Sequence, residues 1–581
     1  MTHHDPGSVT QSRSLSGMLS FVLAITGVIV PIAILTGCKD DTATVREIQA
    51  ARQARQQAAT KVDHLGEAIG LVSRLIELES ESGGRQILYH LNAWRETQPK
   101  IAGQVASKAP ALLKTVSEFM PNDQAIEAVK REEFVPLDVY HLRYQYLLRE
   151  VADWVRDGSP IDPLFEPWLK EKRESLGGEN ADALATAVKF FDWTIRNIAI
   201  EPRVFADQAP PTPPLPLGMQ YRGAGYRQTP YRTLFRGTGD SQQRSGLFVS
   251  LLRQAGIPAF VLGLADGKGE FSPWVVGVLI GDDVYLFDCE LGVPIPGPGQ
   301  VGIATLADAR KDASVLRRMS VQGLFDYPVQ KDDVQQCAAL LVLEPEAISG
   351  RIKRLQEGLT GDLRMVLYDD ADATADRLEE IQGIASVRIW DVPLKSRVYN
   401  AAIEQICQND PVVAFFTLAE WTILDGEFDQ AKRLALGRWR HLQGIFDEDE
   451  LSTIKGAKPL YLSQRQPEFE IADLRIDVDL QKQYGIRRDL GVTPEIYDRQ
   501  IQQVQKIMRQ GKNTATFWLS LIQYETERFD LAKNWFQTRV LLDGTDSRWE
   551  QSARYNLARS LEELGETDKA IELYKTVGDI Q

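Results

Sequence analysis

The sequence predicts an α+β multidomain protein: a helical N-terminal region, an α+β core, a small α/β unit and an α-helical repeat tail. Three observations predict it. Apolar residues recur at helical spacing up to about residue 200, strand-like apolar runs take over between 241 and 300, and similar helix-start segments recur after 420. The length of 581 residues suggests about four units at roughly 150 residues each. With 43% apolar and 25% charged residues, the chain is neither mostly disordered nor collagen-like nor a polytopic membrane protein. Acids outnumber bases 81 to 66, a net charge of −15, so nucleic acid is not the expected partner. Four cysteines are too few for a disulfide framework. The six histidines are His3, His4, His64, His90, His141 and His441, and none lies between 142 and 440.

Residues 1–37 read as an export signal. Residues 1–17 are polar with Arg13 as their one Lys or Arg, and Met18 to Gly37 is apolar, long enough to span a bilayer. Leu35-Thr-Gly-Cys38 resembles the lipobox of bacterial lipoproteins, which implies lipidation at Cys38 and a membrane-anchored place in the cell envelope, facing the periplasm or exterior. An uncleaved signal anchor is the other reading. Of the remaining cysteines, Cys289, Cys337 and Cys407, at least one must lack a partner within the chain.

Region 42–175 reads as helical. Ala58, Val62, Leu65, Ile69, Val72 and Ile76 alternate in steps of four and three, a seam suited to packing on a neighbouring helix or to self-association as a stalk. Gly83-Gly84 and Ser159-Pro160 are expected breaks. The run Ala209-Pro-Pro-Thr-Pro-Pro-Leu-Pro216 predicts an extended connector, since proline suits neither a helix interior nor a central strand.

In the core, 176–325, Leu247, Phe248, Leu251 and Leu252 make a helical stripe that Gly256-Ile-Pro258 ends. Ala259–Leu262 predicts a short strand. Trp274–Ile280 and Val284–Phe287, split by Gly281-Asp-Asp283, predict a hairpin. The unit 330–400 alternates apolar runs (Ala338–Leu343, Met365–Tyr368, Val387–Trp390) with helical patterns.

Gly239-Asp240-Ser241, running through a helix to Leu252-Arg-Gln-Ala-Gly-Ile-Pro258, resembles the transglutaminase-like domain, a papain-related Cys-His-Asp fold. The helix Phe191–Ile198 resembles the one preceding that family's core, so the resemblance covers about 180–300. It implies a nucleophile at Ser241, a base at Ser272 of Ser272-Pro-Trp274, and an orienting carboxylate at Asp288 of Phe287-Asp288. Only Asp288 keeps the family's residue type. A serine hydroxyl needs a positioned base, and a hydroxyl at Ser272 accepts no proton near neutrality. Asp240 or Ser241 also serves as a helix N-cap. Alternation along a strand puts Cys289 on the face opposite Asp288. The expected core is therefore catalytically degenerate. The alternative is a serine-dependent enzyme using Ser241 with Lys268 or a carboxylate.

The tail, 405–581, repeats itself. Gly426-Glu-Phe-Asp-Gln-Ala-Lys432, Glu527-Arg-Phe-Asp-Leu-Ala-Lys533 and Gly565-Glu-Thr-Asp-Lys-Ala-Ile571 align; Asp429 and Asp530 are 101 apart, Asp530 and Asp568 38 apart. This resembles a degenerate tetratricopeptide (TPR) array, whose period is about 34. The resemblance implies a protein or peptide partner. The chain carries no P-loop, His-Glu-x-x-His or Cys-x-x-Cys motif, and its acidic stretches lack EF-hand spacing. No metal or cofactor is expected. The readings are a lipid-anchored envelope binding or scaffold protein, a serine-dependent acyl transferase or peptidase acting on envelope proteins or peptides, or a structural lipoprotein with no ligand in its core.

Overall fold

The computed structural model describes residues 62–78, 80–99, 106–114, 122–201, 228–267, 271–409, 423–425, 428–447, 455–484, 486, 493–543 and 547–577. The signal segment, Cys38, the proline-rich run 209–216 and Lys268 lie outside them. Helix α1 (His64–Ser73) starts at Asp63, whose carboxylate accepts from the Gly66 amide, and buries Leu65, Ile69 and Val72. These residues join one core with Ile87 and Leu91 of α2 (Ser80–Glu96) and Leu142 of α3 (Pro136–Gly158). Leu65, Ile69 and Val72 of the expected seam are thus used inside the chain, while Val62 is exposed. Gly83 and Gly84 do not break α2. A Cβ on Gly83 would come within 2.6 Å of Leu75 Cδ1, so glycine there permits close packing of α2 on the preceding turn. Helix α3 does end at Ser159-Pro160 as expected. Helix α4 (Gly178–Asn197) follows, and the parallel pair β1 (Ala199–Ile200) and β2 (Thr238–Gly239) leads into α5 (Ser241–Gln254).

Six further strands form one sheet: β3 (Ala259–Ala265), β4 (Phe271–Ile280), β5 (Asp283–Asp288), β6 (Val293–Pro294), β7 (Cys337–Leu341) and β8 (Ile384–Ile389), in the order β6-β5-β4-β3-β7-β8. Only β7 and β8 run parallel. The hairpin β4–β5 is the expected one, turning at Gly281 with φ 61°. The unit expected at 330–400 has no sheet of its own. Its strand β7 pairs antiparallel with β3, Val261 opposite Leu340, which satisfies backbone groups that an edge strand would leave open. The apolar run Met365–Tyr368 makes no strand. The amides of Leu367 and Tyr368 donate to Gln356 (2.7 and 2.8 Å) and that of Val366 to Gln254 (3.0 Å), so side chains replace a ladder.

The sheet has two covered faces. Val261, Val276, Val278, Phe287 and Leu340 share a core with Leu247, Phe248 and Leu251 of α5. Leu262, Leu279, Val284, Leu286 and Leu341 share another with Val315, Leu316 and Tyr327.

In the tail, each repeated segment opens a helix: α6 (Asp429–Leu442), α8 (Phe529–Asn534, continuing as a π-helix to Leu542) and α10 (Thr567–Val577). Ala431, Ala532 and Ala570, one from each copy, are fully buried. Glu527 and Gly565, at equivalent positions, take left-handed φ of 56° and 74° at the turns after α7 (Pro494–Glu525) and α9 (Glu550–Glu563).

A buried ion network fastens the tail to α4. Arg196 binds Asp192 (2.7 Å) and Glu525 (2.6 Å), and its guanidinium lies 4.3 Å from the centre of the Tyr524 ring. Arg559 binds Asp162 (3.1 Å) and Asp192 (3.3 Å), and also Glu562. Asn197 donates to Glu525 (2.9 Å), and Asn556 to the Arg196 carbonyl (3.1 Å). Burial pushes the Asp192 carboxyl up, but Arg196 and Arg559 outweigh it and hold it below the ordinary aspartate value.

His441 in α6 is fully buried, with Nδ1 3.3 Å from the Tyr461 hydroxyl and 3.4 Å from Arg438. Burial, reinforced by Arg438, lowers its pKa well below 6.5. The unfolded chain therefore takes up a proton below about pH 6.5 that the folded chain refuses. Stability is full above that pH and falls as pH drops, by about 1.4 kcal/mol per unit from this group. Urea unfolding of the native chain and of His441→Phe between pH 6.5 and 5 should show a slope shallower by about one proton in the variant. Equal slopes would refute the assignment.

Candidate functional site

The first turn of α5 is built by its own side chains. Asp240 accepts from the amides of Gln242 and Gln243 (3.0 Å each), and the Gln243 side chain accepts from the Asp240 amide (3.0 Å). This reciprocal cap fixes where the helix begins. Gly239 precedes it because a Cβ would press within 2.9 Å of Thr233 Cγ2. Ser241 is the first helical residue and is 6% exposed, and its carbonyl accepts from the Ser245 hydroxyl (2.8 Å).

Ser272 and Asp288 lie on the face of the sheet away from α5. Ser272 pairs across strands with Leu264, which packs against the Tyr327 core, and Ser272 is exposed. Asp288 follows Val284 and Leu286 in strand alternation. Its Oδ1 accepts from the amides of Glu290 and Leu291 (2.9 Å each), which shapes the turn after β5. Its Oδ2 accepts from the Tyr327 hydroxyl (2.9 Å), which accepts in turn from Trp274 Nε1 (2.8 Å). The chain Trp274–Tyr327–Asp288 thus joins β4, β5 and the segment between β6 and β7. Burial and the neighbouring Asp288 push the Tyr327 hydroxyl far above the ordinary tyrosine range. The structure therefore groups Ser272 and Asp288 on one face and leaves Ser241 with the other.

Cys289 comes next to Asp288 and, as alternation predicts, joins the α5 core. Its thiol is buried beside Ser245, and burial pushes its pKa up to about 12. At neutral pH it stays a thiol, the unreactive form. Arg244, on the same turn of α5, is also buried. Its guanidinium donates to the carbonyls of Ile198 (2.5 and 2.8 Å), Ile195 (3.4 Å) and Cys289 (3.4 Å). Burial lowers its pKa to about 10, so it remains a cation held by backbone dipoles at the C-terminus of α4.

The four described histidines serve other partners. His64 and His90 meet each other (Nδ1 to Nδ1 3.0 Å), His141 Nε2 binds the Leu367 carbonyl (2.9 Å), and His441 lies against Tyr461 and Arg438. Among the described residues no cluster of three or more His, Cys, Asp or Glu could hold a metal ion, and no helix is long and apolar enough to cross a membrane. Tyr327 and Arg244 are the members of this region that sequence reasoning missed. Tyr327 stands in an irregular Phe-Asp-Tyr-Pro stretch without periodicity, and Arg244 reads as an ordinary polar helical position. Comparison with known proteins finds no family model that matches the chain, and no curated protein or solved structure that does.

The Tyr327 hydroxyl carries two hydrogen bonds in the second core. Tyr327→Phe leaves Asp288 and Trp274 each short of a partner and should cost about 1–3 kcal/mol. Ser272→Ala, at an exposed position, should change stability by no more than about 0.5 kcal/mol. Equal effects of the two in urea denaturation would overturn the structural role assigned to Tyr327.

Proposed function

We propose that this chain is a binding or scaffold protein of the cell envelope, anchored at a membrane through Cys38, with a catalytically degenerate transglutaminase-like core and TPR-like repeats that engage a protein or peptide partner. One observation carries the reading. Of the groups that the resemblance would use for chemistry, Asp288 is committed to holding the fold, and Ser272 stands on the other face of the sheet from Ser241. Both oxygens of Asp288 bond to Tyr327 or to backbone amides, the Cys289 thiol is buried with a raised pKa, and the start of α5 is closed by its own capping residues. A general base must lie within about 3 Å of the group it deprotonates, directly or through one water. The imidazoles that could fill that role in a Cys-His-Asp plan are engaged elsewhere.

The tail supports the binding half of the reading. The recurrent Asp and buried Ala at the starts of α6, α8 and α10 match a stacked helix-pair plan, and such stacks present extended surfaces to partners.

A fluorophosphonate probe applied to the folded chain, read by intact mass and peptide mapping, tests the core. No adduct should form at Ser241, and the native chain and Ser241→Ala should give the same mass. A stoichiometric adduct at Ser241, lost in Ser241→Ala and in unfolded chain, would overturn the proposal in favour of a serine-dependent acyl transferase or peptidase.

A further inference from the structure

A cleft of about 290 Å³ opens where three helix ends meet, far in sequence from Ser241. The C-terminus of α2 contributes Trp94, Arg95 and Glu96. The end of helix Asn122–Lys130 and the residues after it contribute Val129, Lys130, Arg131, Glu132 and Phe134. The N-terminal half of helix Gly350–Gly358 contributes Gly350, Arg351 and Arg354. Five bases therefore face two acids, in a chain whose net charge is −15.

Two of these five cations, Arg131 and Arg354, pair with no carboxylate among the described residues, and two more, Arg95 and Lys130, have only long or exposed pairs. Arg351 has a close carboxylate: Asp138 accepts from its Nε and Nη2 (2.9 Å each), while its Nη1 donates to the carbonyls of Ala128 (2.6 Å) and Arg131 (3.1 Å). Arg351 is the fixed back wall. Arg354 donates to the Pro99 carbonyl and pairs with no acid among the described residues. The Arg131 guanidinium is exposed and makes no ion pair or hydrogen bond among them. Arg95 approaches Glu96 only at 3.9 Å, and its Nε is buried without a hydrogen-bond partner. Lys130 lies 3.4 Å from Glu127, an exposed contact of small worth.

The dipole sharpens the imbalance. Arg351 stands in the first turn of its helix, where the backbone already presents positive partial charge, and Arg354 follows one turn later. Ser349 caps that end by accepting from the Ile352 amide, and a Cβ on Gly350 would meet nothing within 4 Å. An anion at this end would be attracted by helix and arginines together. The cleft also has an apolar wall. The Trp94 and Phe134 rings lie 6.4 Å apart at 42°, Val129 and Phe134 are buried, and the Trp94 indole sits against Gly358, where a Cβ would come within 2.8 Å of Cζ2.

We infer that this cleft is a binding site for a small organic anion: one carboxylate, sulfonate or phosphate group held by Arg95, Arg131 and Arg354, on a flat apolar body laid against Trp94 and Phe134. Its volume is near the lower end for small-molecule sites, so a body of one or two rings fits. The inference is independent of the reading given to the core and tail.

Naphthalene-2-sulfonate titrated into the full chain by calorimetry tests it. Binding should saturate at one per chain. Neutral 2-naphthol and inorganic sulfate, each keeping half of the required chemistry, should bind at least tenfold more weakly. Arg131→Glu, at an exposed position, should weaken naphthalene-2-sulfonate at least tenfold while leaving the thermal midpoint nearly unchanged, and Arg354→Gln should weaken it severalfold. Absence of saturable binding, sulfate or naphthol binding as tightly as the sulfonate, or unchanged affinity in both variants would overturn the site.

Discussion

The arrangement depends on where buried arginines find their counter-charges. Arg196 and Arg559 are buried with Asp192 and Glu525, with half-buried Asp162 beside Arg559, and the shared Asp192 links the two arginines. Replacing such a network with hydrophobic residues can be neutral, but removing one partner is costly. Because Glu525 and Arg559 belong to α7 and α9 while Asp192 and Arg196 belong to α4, the network makes tail and core one folded object. Two further arginines follow a related logic with backbone dipoles. Arg244 fills the C-terminal carbonyls of α4, and Arg438 binds the carbonyls of Leu234 (3.0 Å) and Phe235 (3.1 Å) beside Trp518. The β1–β2 pair and the start of α5 lie between these clamps, and Gly237 is required there. It takes φ 68°, and a Cβ would crowd Arg438 and Trp518 at 3.2 and 3.3 Å.

The same economy of polar groups bears on function. A catalytic residue needs a pKa matched to its task and freedom to meet a substrate. Here Asp288 organises a turn and a tyrosine, Cys289 is an inert thiol, and Asp240 is a cap. The cleft at Trp94 is the opposite case, a place where five lining cations outnumber two lining acids. The contrast between spent and unspent charge directs attention away from Ser241, Ser272 and Asp288 and toward the cleft.

Much of the local structure was legible in the sequence. The cap and stripe of α5, the Gly281 turn and the three helix starts of the tail follow from short-range rules: capping chemistry, left-handed glycine and period. What failed needed long-range information. Gly83-Gly84 reads as a break until Leu75 is seen pressing on Gly83. Met365–Tyr368 reads as a strand until Gln356 and Gln254 are seen taking its amides. Strands β7 and β8 read as a separate unit because no local signal shows that β3 has an open edge. Asp192, Arg196, Glu525 and Arg559 look like solvated helical charges, since periodicity does not reveal that another helix covers them. The candidate site was legible in part. Ser241 at a helix start and Asp288 at a strand end were found, but their placement on different sides of the sheet depends on a strand parity that spacing alone leaves open.

The central claim is that buried ion pairs weld the tail to the core. It is tested most directly by a double-mutant cycle on Asp192→Asn and Arg559→Met, read by urea unfolding at pH 7. Arg559→Met alone should cost about 3–5 kcal/mol, since it removes the cation facing Asp162 and one of the two cations facing buried Asp192. The double variant should recover part of that loss, giving a coupling of at least about 1 kcal/mol between the positions. Costs below about 1 kcal/mol for Arg559→Met, or strictly additive effects, would contradict the account.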